Sequence, residues 1–146
     1  MEKTIFSFME TMVHNTFFQA VALAIVFDTL MGLLRSLKEK KFNSCFGING
    51  AIRKVAMVIC ILFLGLADNI IGLNLIGFIP KDLWKLIGMQ TPAVIGLKEF
   101  FAILFIVYEI VSILKNMTMA GLPVKGLWMK VKVFLSKYTS ELPDDD

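Results

Sequence analysis

Three long apolar runs divide the chain, at residues 16–34 (TFFQAVALAIVFDTLMGLL), about 55–72 (VAMVICILFLGLADNIIG) and 93–114 (AVIGLKEFFAILFIVYEIVSIL). At a helical rise of 1.5 Å per residue the first covers about 28 Å and the second about 27 Å, close to the hydrocarbon thickness of a bilayer. Each reads as a membrane-spanning helix. The polar stretches between them read differently. Residues 4–14 suggest a short interfacial helix. Gly72, Asn74, Gly77 and Pro80 break the pattern after the second run, making Leu73–Ile79 interfacial or re-entrant. In 80–92, Pro80 and Asp82 favour a helix start and Trp84 suits a headgroup-level anchor. At 124–138 (VKGLWMKVKVFLSKY), Leu127, Val131, Phe134, Leu135 and Tyr138 share one face, with Lys130 and Lys137 away from it. A basic amphipathic helix of this kind, carrying Lys125, Trp128, Lys130, Lys132 and Lys137, belongs on an anionic leaflet. The closing ELPDDD is acidic. It reads as a solvated terminus, the other reading being electrostatic tuning of the lysines before it.

Composition supports the bilayer. Of 146 residues 57% are hydrophobic, with a mean hydropathy of +0.74, against roughly 45–50% apolar in a soluble domain. The expected class is an all-α integral membrane protein with three transmembrane helices plus interfacial helices. Residues 1–114 form the membrane domain, and 115–146 hold the basic helix and acidic tail. The first fifteen residues lack a basic n-region and a small-x-small cleavage site, so the first span is read as retained.

Charge placement sets the orientation. Arg35, Lys38, Lys40, Lys41, Arg53 and Lys54 gather between the first two runs, and Lys115, Lys125, Lys130, Lys132 and Lys137 follow the third. The connection between the second and third runs holds only Lys81 and Lys85. The positive-inside rule puts the first loop and the C-terminus in the cytoplasm, and the N-terminus outside. Gly47 and Gly50 read as a hinge within that loop. A basic loop tethered between spans is poorly placed for nucleic acid.

The costly residues come next. An ionisable side chain in a span costs at least about 2.5–3.5 kcal/mol on insertion scales, so each needs a reason. Asp28, Gly32 and Arg35 share a face of the first span, and Glu109, Ser112 and Asn116 share a face of the third. Asp68 falls near the far end of the second. The acids can pair with Arg35, Arg53 and Lys54 within one subunit, pair between subunits, or line a lumen. Ala20 and Ala24, like Gly32 and Ser36, have the small-xxx-small spacing of close helix contacts. No catalytic constellation is present: there is one histidine, His14, no phosphate-binding glycine loop, and no cofactor or metal set. Cys45 and Cys60 read as small apolar fillers.

These residues also carry a resemblance. Asp28-Thr29 with Gly32, then Asn43-Ser44 with Gly47, Gly50 and Lys54, then Glu109, Ser112-Ile113, Asn116, Gly121 and Pro123 follow in order. Over roughly residues 16–135 the chain resembles the phage-lysis and toxin-secretion holin family. The loop wording KFNSCFGINGAIRKVA is similar to that of holin-like exporters encoded beside large clostridial glucosylating toxins. The resemblance implies homo-oligomers in the bacterial cytoplasmic membrane. There they open lesions that release an endolysin or a large toxin, without direct contact with that cargo. A small ion or solute channel subunit, an antiholin-type regulator of another holin, and a structural membrane scaffold are the competing readings.

Overall fold

A computed structural model describes residues 2–40, 44–86, 88 and 94–138. Six helices account for the secondary structure among them: α1 (Glu2–Val13), α2 (Thr16–Glu39), α3 (Ser44–Ile71), α4 (Lys81–Leu86), α5 (Leu97–Met119) and α6 (Lys125–Leu135). Lys41, Asn43 and the acidic tail lie outside the described residues. Among the described residues two helices are long and apolar enough to cross a membrane, α2 and the Gly47–Ile71 part of α3.

The boundaries follow from local chemistry. Asn15 ends α1 and starts α2: its side-chain oxygen accepts from the Phe17 and Phe18 amides at 3.0 and 3.1 Å, satisfying two of the donors a helix start leaves open. The α2 helix runs five residues past the apolar run, to Glu39, and stops where Lys40 turns left-handed at φ 52°. Helix α2 therefore ends ahead of Gly47 and Gly50. Gly47 and Gly50, expected in a loop, are helical. They lie inside the first turns of α3, where Ile48, Ala51 and Ile52 continue the helical apolar spacing and outweigh the low helix propensity of glycine. Lys38 accordingly sits in the last turn of α2, and Arg53 and Lys54 ride on α3 rather than in a loop.

Helices α2 and α5 run side by side in the same direction and form the main contact, with α3 antiparallel against α5. Met12, Val21, Ile61 and Ala102 make the buried core, one residue from each of α1, α2, α3 and α5, with Phe8, Phe18 and Phe105 packed around them. Most remaining large apolar side chains face outward. Ile52, Val55, Ile59, Phe63 and Ile70 form an uncovered stripe along α3. That much exposed apolar surface needs an apolar solvent.

Both tryptophans turn inward. Trp84, expected at the headgroups, is buried from α4, and Trp128 is buried where α6 packs on α5. On α6 the exposed apolar groups are Leu127, Met129, Val133 and Phe134, with Tyr138 exposed in the turn after it, while Val131 and Leu135 are half-buried. An aromatic position in a sequence does not say which side of its helix has a neighbour to pack on.

The seat of α1 is a close approach at Gly65. A Cβ there would stand 2.8 Å from Met12 Sδ, 3.1 Å from Met12 Cε and 3.5 Å from Phe8 Cζ. Gly65→Ile should therefore lift α1 off α3 at a cost of about 1–3 kcal/mol. Gly65→Ala should cost less, because Met12 can swing its flexible end. Hydrogen exchange in detergent checks this: α1 amides should exchange faster in the isoleucine variant while α2 and α5 stay protected.

Candidate functional site: a polar seam across three helices

The polar residues of the apolar runs meet one another inside the bundle. Asp28 of α2 is 7% exposed and Glu109 of α5 is 1% exposed. Lys54 reaches from α3 to place Nζ 2.8 Å from Asp28 Oδ2 and donates to Thr29 Oγ1 at 2.7 Å. Thr29 in turn donates to the Ile25 carbonyl at 2.7 Å. The second Asp28 oxygen, Oδ1, accepts from Asn116 Nδ2 at 3.0 Å. Both carboxylate oxygens are thus engaged, one by an ammonium from α3 and one by an amide from α5.

Gly32 lies one turn on from Asp28, against Asn116: a Cβ there would meet the amide nitrogen at 3.6 Å, an ordinary contact. Glu109 lies beside Asp28, and its Oε2 has no hydrogen-bond partner among the described residues. Arg53 stacks over the Tyr108 ring at 5.3 Å, a cation–π contact of about 0.5–2 kcal/mol.

Of the expected site residues, Asp28, Gly32, Asn116, Glu109 and Lys54 are brought together. Arg35 pairs with Glu39 of its own helix at 3.3 Å. Ser112 is half-buried on α5. Lys38 reaches the C-terminal end of α5, donating to the Met119 carbonyl at 3.2 Å. A cation there complements the partial negative charge of a helix C-terminus.

Asp68 belongs to a second cluster at the opposite end of the bundle. Its two oxygens accept from the Leu97 and Lys98 amides, each at 2.9 Å, so α3 supplies the cap for the start of α5. Lys98 Nζ sits 3.7 Å from Asp68 and 3.0 Å from Glu99. Glu99 also accepts from the Gly96 amide at 3.0 Å, and from Asn15 at a long 3.5 Å. The carboxylate can approach because residue 96 is glycine: a Cβ would come within 2.6 Å of Asp68 Oδ2.

Sequence reasoning missed this second cluster. Asn15 before an apolar run and Glu99 three residues after Gly96 are helix-start signals. Asp68 gives no such signal, since its partners lie about thirty positions away.

Two apolar helices, an internally paired polar seam and an outward apolar surface fit a membrane protein. The comparisons with known proteins agree. The bacteriophage holin family matches residues 4–136, and the chain belongs to that family. It is a holin, a pore-forming membrane protein rather than an enzyme. Holin-like protein TcdE of Clostridioides difficile is 47% identical over 134 residues, covering 91% of this chain and 79% of the relative. No solved structure matches.

The two clusters make separate predictions. Lys54→Met leaves Asp28 buried beside Glu109 without its cation and should cost about 3 kcal/mol or more, whereas Asp28→Asn with Lys54→Met should recover most of it. Thermal unfolding in detergent gives the cycle, and simple additivity of the two changes would show that the pair is not coupled. At the other end, Asp68→Ala removes an N-cap and should cost about 1–2 kcal/mol. Gly96→Ala should destabilise by a similar amount by pushing the carboxylate away, and Gly96→Ala in an Asp68→Ala background should add little.

Proposed function

We propose that this holin crosses the cytoplasmic membrane three times, through α2, α3 and α5. The N-terminus lies outside and the α2–α3 turn and C-terminus in the cytoplasm. Self-association of several copies then opens a lesion wide enough for a folded protein. The observation that carries this reading is the Asp28–Lys54–Asn116 seam. Closed within one chain, it lets single copies disperse in lipid with only their Leu, Ile, Phe and Val faces outward. Above a threshold density, helix association turns the same residues toward a shared lumen, where water replaces the internal partners. Glu109, beside Asp28 and with one oxygen free of a partner among the described residues, takes part in that lining.

The third span rests on α5, whose Phe100–Ile113 stretch is interrupted only by Tyr108, Glu109 and Ser112. Glu109 is buried beside Asp28. The basic residues at the α2–α3 turn and on α6 favour the cytoplasmic side, and α6 lies on the anionic leaflet there. The cargo is an endolysin or a large protein toxin. The similarity of the Lys41–Ala56 wording to exporters encoded beside clostridial toxins favours the toxin.

Inducible expression in a bacterial host tests this, with release of a folded cytoplasmic reporter enzyme followed alongside membrane potential. A delay followed by abrupt reporter release is expected. Depolarisation without release would mean a small channel, and neither effect would mean a regulator or scaffold. In the same assay Asp28→Ala and Glu109→Ala should shift the onset of release or abolish it. Wild-type timing in both variants would remove the two acids from the mechanism.

A further inference from the structure

Gly121 and Pro123 take no part in the polar seam, and both lie just past the end of α5. The Ala120, Gly121 and Leu122 amides donate there to the Asn116, Thr118 and Met117 carbonyls at 2.8, 3.0 and 3.0 Å, with Gly121 at φ 90°. This is the Schellman arrangement, and it closes three of the carbonyls that a helix end leaves open. The Met119 carbonyl is different. Its helical donor would be the amide of residue 123, which is proline and has no N–H. Lys38 of α2 supplies the missing donor at 3.2 Å.

The path for that side chain exists because residue 121 is glycine. A Cβ there would fall on Lys38 Nζ, so the glycine serves twice: it accepts the positive φ and it leaves the lysine room. Helix α2 therefore grips the last turn of α5 at two points, Asp28 at the Asn116 side chain and Lys38 at the Met119 carbonyl. The two grips differ in strength. Asp28 is also paired with Lys54 inside the bundle, and a buried ion pair is costly to break. Lys38 is exposed, and among the described residues no carboxylate pairs with it. Water can replace the carbonyl at Lys38 without leaving a charge buried, so this end of the α2–α5 contact gives way first.

We propose that Lys38 is a positioning residue for lesion opening: seated over Gly121 on the Met119 carbonyl, it latches the ends of α2 and α5 together and delays the parting that exposes the seam. The inference rests on the reading that the seam turns to a shared lumen when these helices separate.

Paired spin labels on Leu37→Cys and Leu122→Cys, with Cys45 and Cys60 replaced by alanine, read the separation of the two ends in nanodiscs holding one copy. Lys38→Met should raise the fraction with parted ends about fivefold, the size expected for one lost hydrogen bond. Gly121→Asn should do the same with every charge kept, since asparagine tolerates a positive φ while its Cβ displaces the lysine. The double variant should match either single one, because the Cβ then has no Nζ to meet. Unchanged separations in both single variants, or effects that multiply in the double one, would overturn the latch.

The timing role is read in cells on unlabelled protein, as the onset of reporter release at matched membrane levels. Both single variants should release earlier than the unmodified chain. Lys38→Arg, which keeps the charge and the donors, should restore most of the delay. Parted ends with an unchanged onset would overturn the timing role. An unmodified chain that releases no reporter would remove the lesion reading and the timing role with it, while the spin-label distances still decide whether Lys38 holds the two helices.

Discussion

A carboxylate inside a hydrophobic bundle has to be met by donors from the same bundle, and the architecture of this holin follows from that constraint. Asp28 is satisfied only when α3 brings Lys54 to one oxygen and α5 brings Asn116 to the other. Those two contacts come from two different helices, so one acid fixes the mutual register of three. The apolar core of Met12, Val21, Ile61 and Ala102 supplies burial but little specificity, because aliphatic contacts tolerate sliding. A bifurcated ionic and amide contact does not tolerate it.

Helix α5 receives the most attention from its neighbours. Asp68 of α3 caps its first turn, Lys38 of α2 meets a carbonyl of its last, and the Asp28 seam grips its flank between the two. Each contact places a charge where the helix dipole or a buried oxygen calls for it. The helix is held by charge at three levels. Its outer face, with Phe100, Leu104, Val107 and Ile110, is left apolar. Release of α5 from α2 and α3 is thus a way to turn polar groups outward without unfolding any helix.

Much of this was written in the amino-acid order. The helical class, the α2 and α3 runs and the polar faces through Asp28–Gly32 and Glu109–Asn116 follow from spacing and hydropathy, and the family from an ordered set of motifs. What stayed hidden has physical reasons. Gly47 and Gly50 suggest a hinge by composition, yet they continue the helical spacing of Ile48 and Ile52 within α3, after Lys40 has ended α2. Asp68 reads as an interfacial acid because its partners are main-chain amides in another helix, which leave no side-chain signature. Arg35 was a plausible counter-ion by face, but Glu39 one turn away meets it first. Trp84 and Trp128 were placed by type, and packing turned both inward.

If lesion formation requires α5 to part from α2, holding those two helices together must stop it. Ala24 and Ile106 line one apolar groove between α2 and α5, away from the polar seam. Cysteines at these two positions, with Cys45 and Cys60 replaced by alanine, can be joined by a short reducible cross-linker in cells expressing the protein. The cross-linked protein should accumulate in the membrane without releasing a cytoplasmic reporter, and a reductant should trigger release at once. Release on the normal schedule from chains shown to be cross-linked would contradict a lesion built by opening the α2–α5 contact.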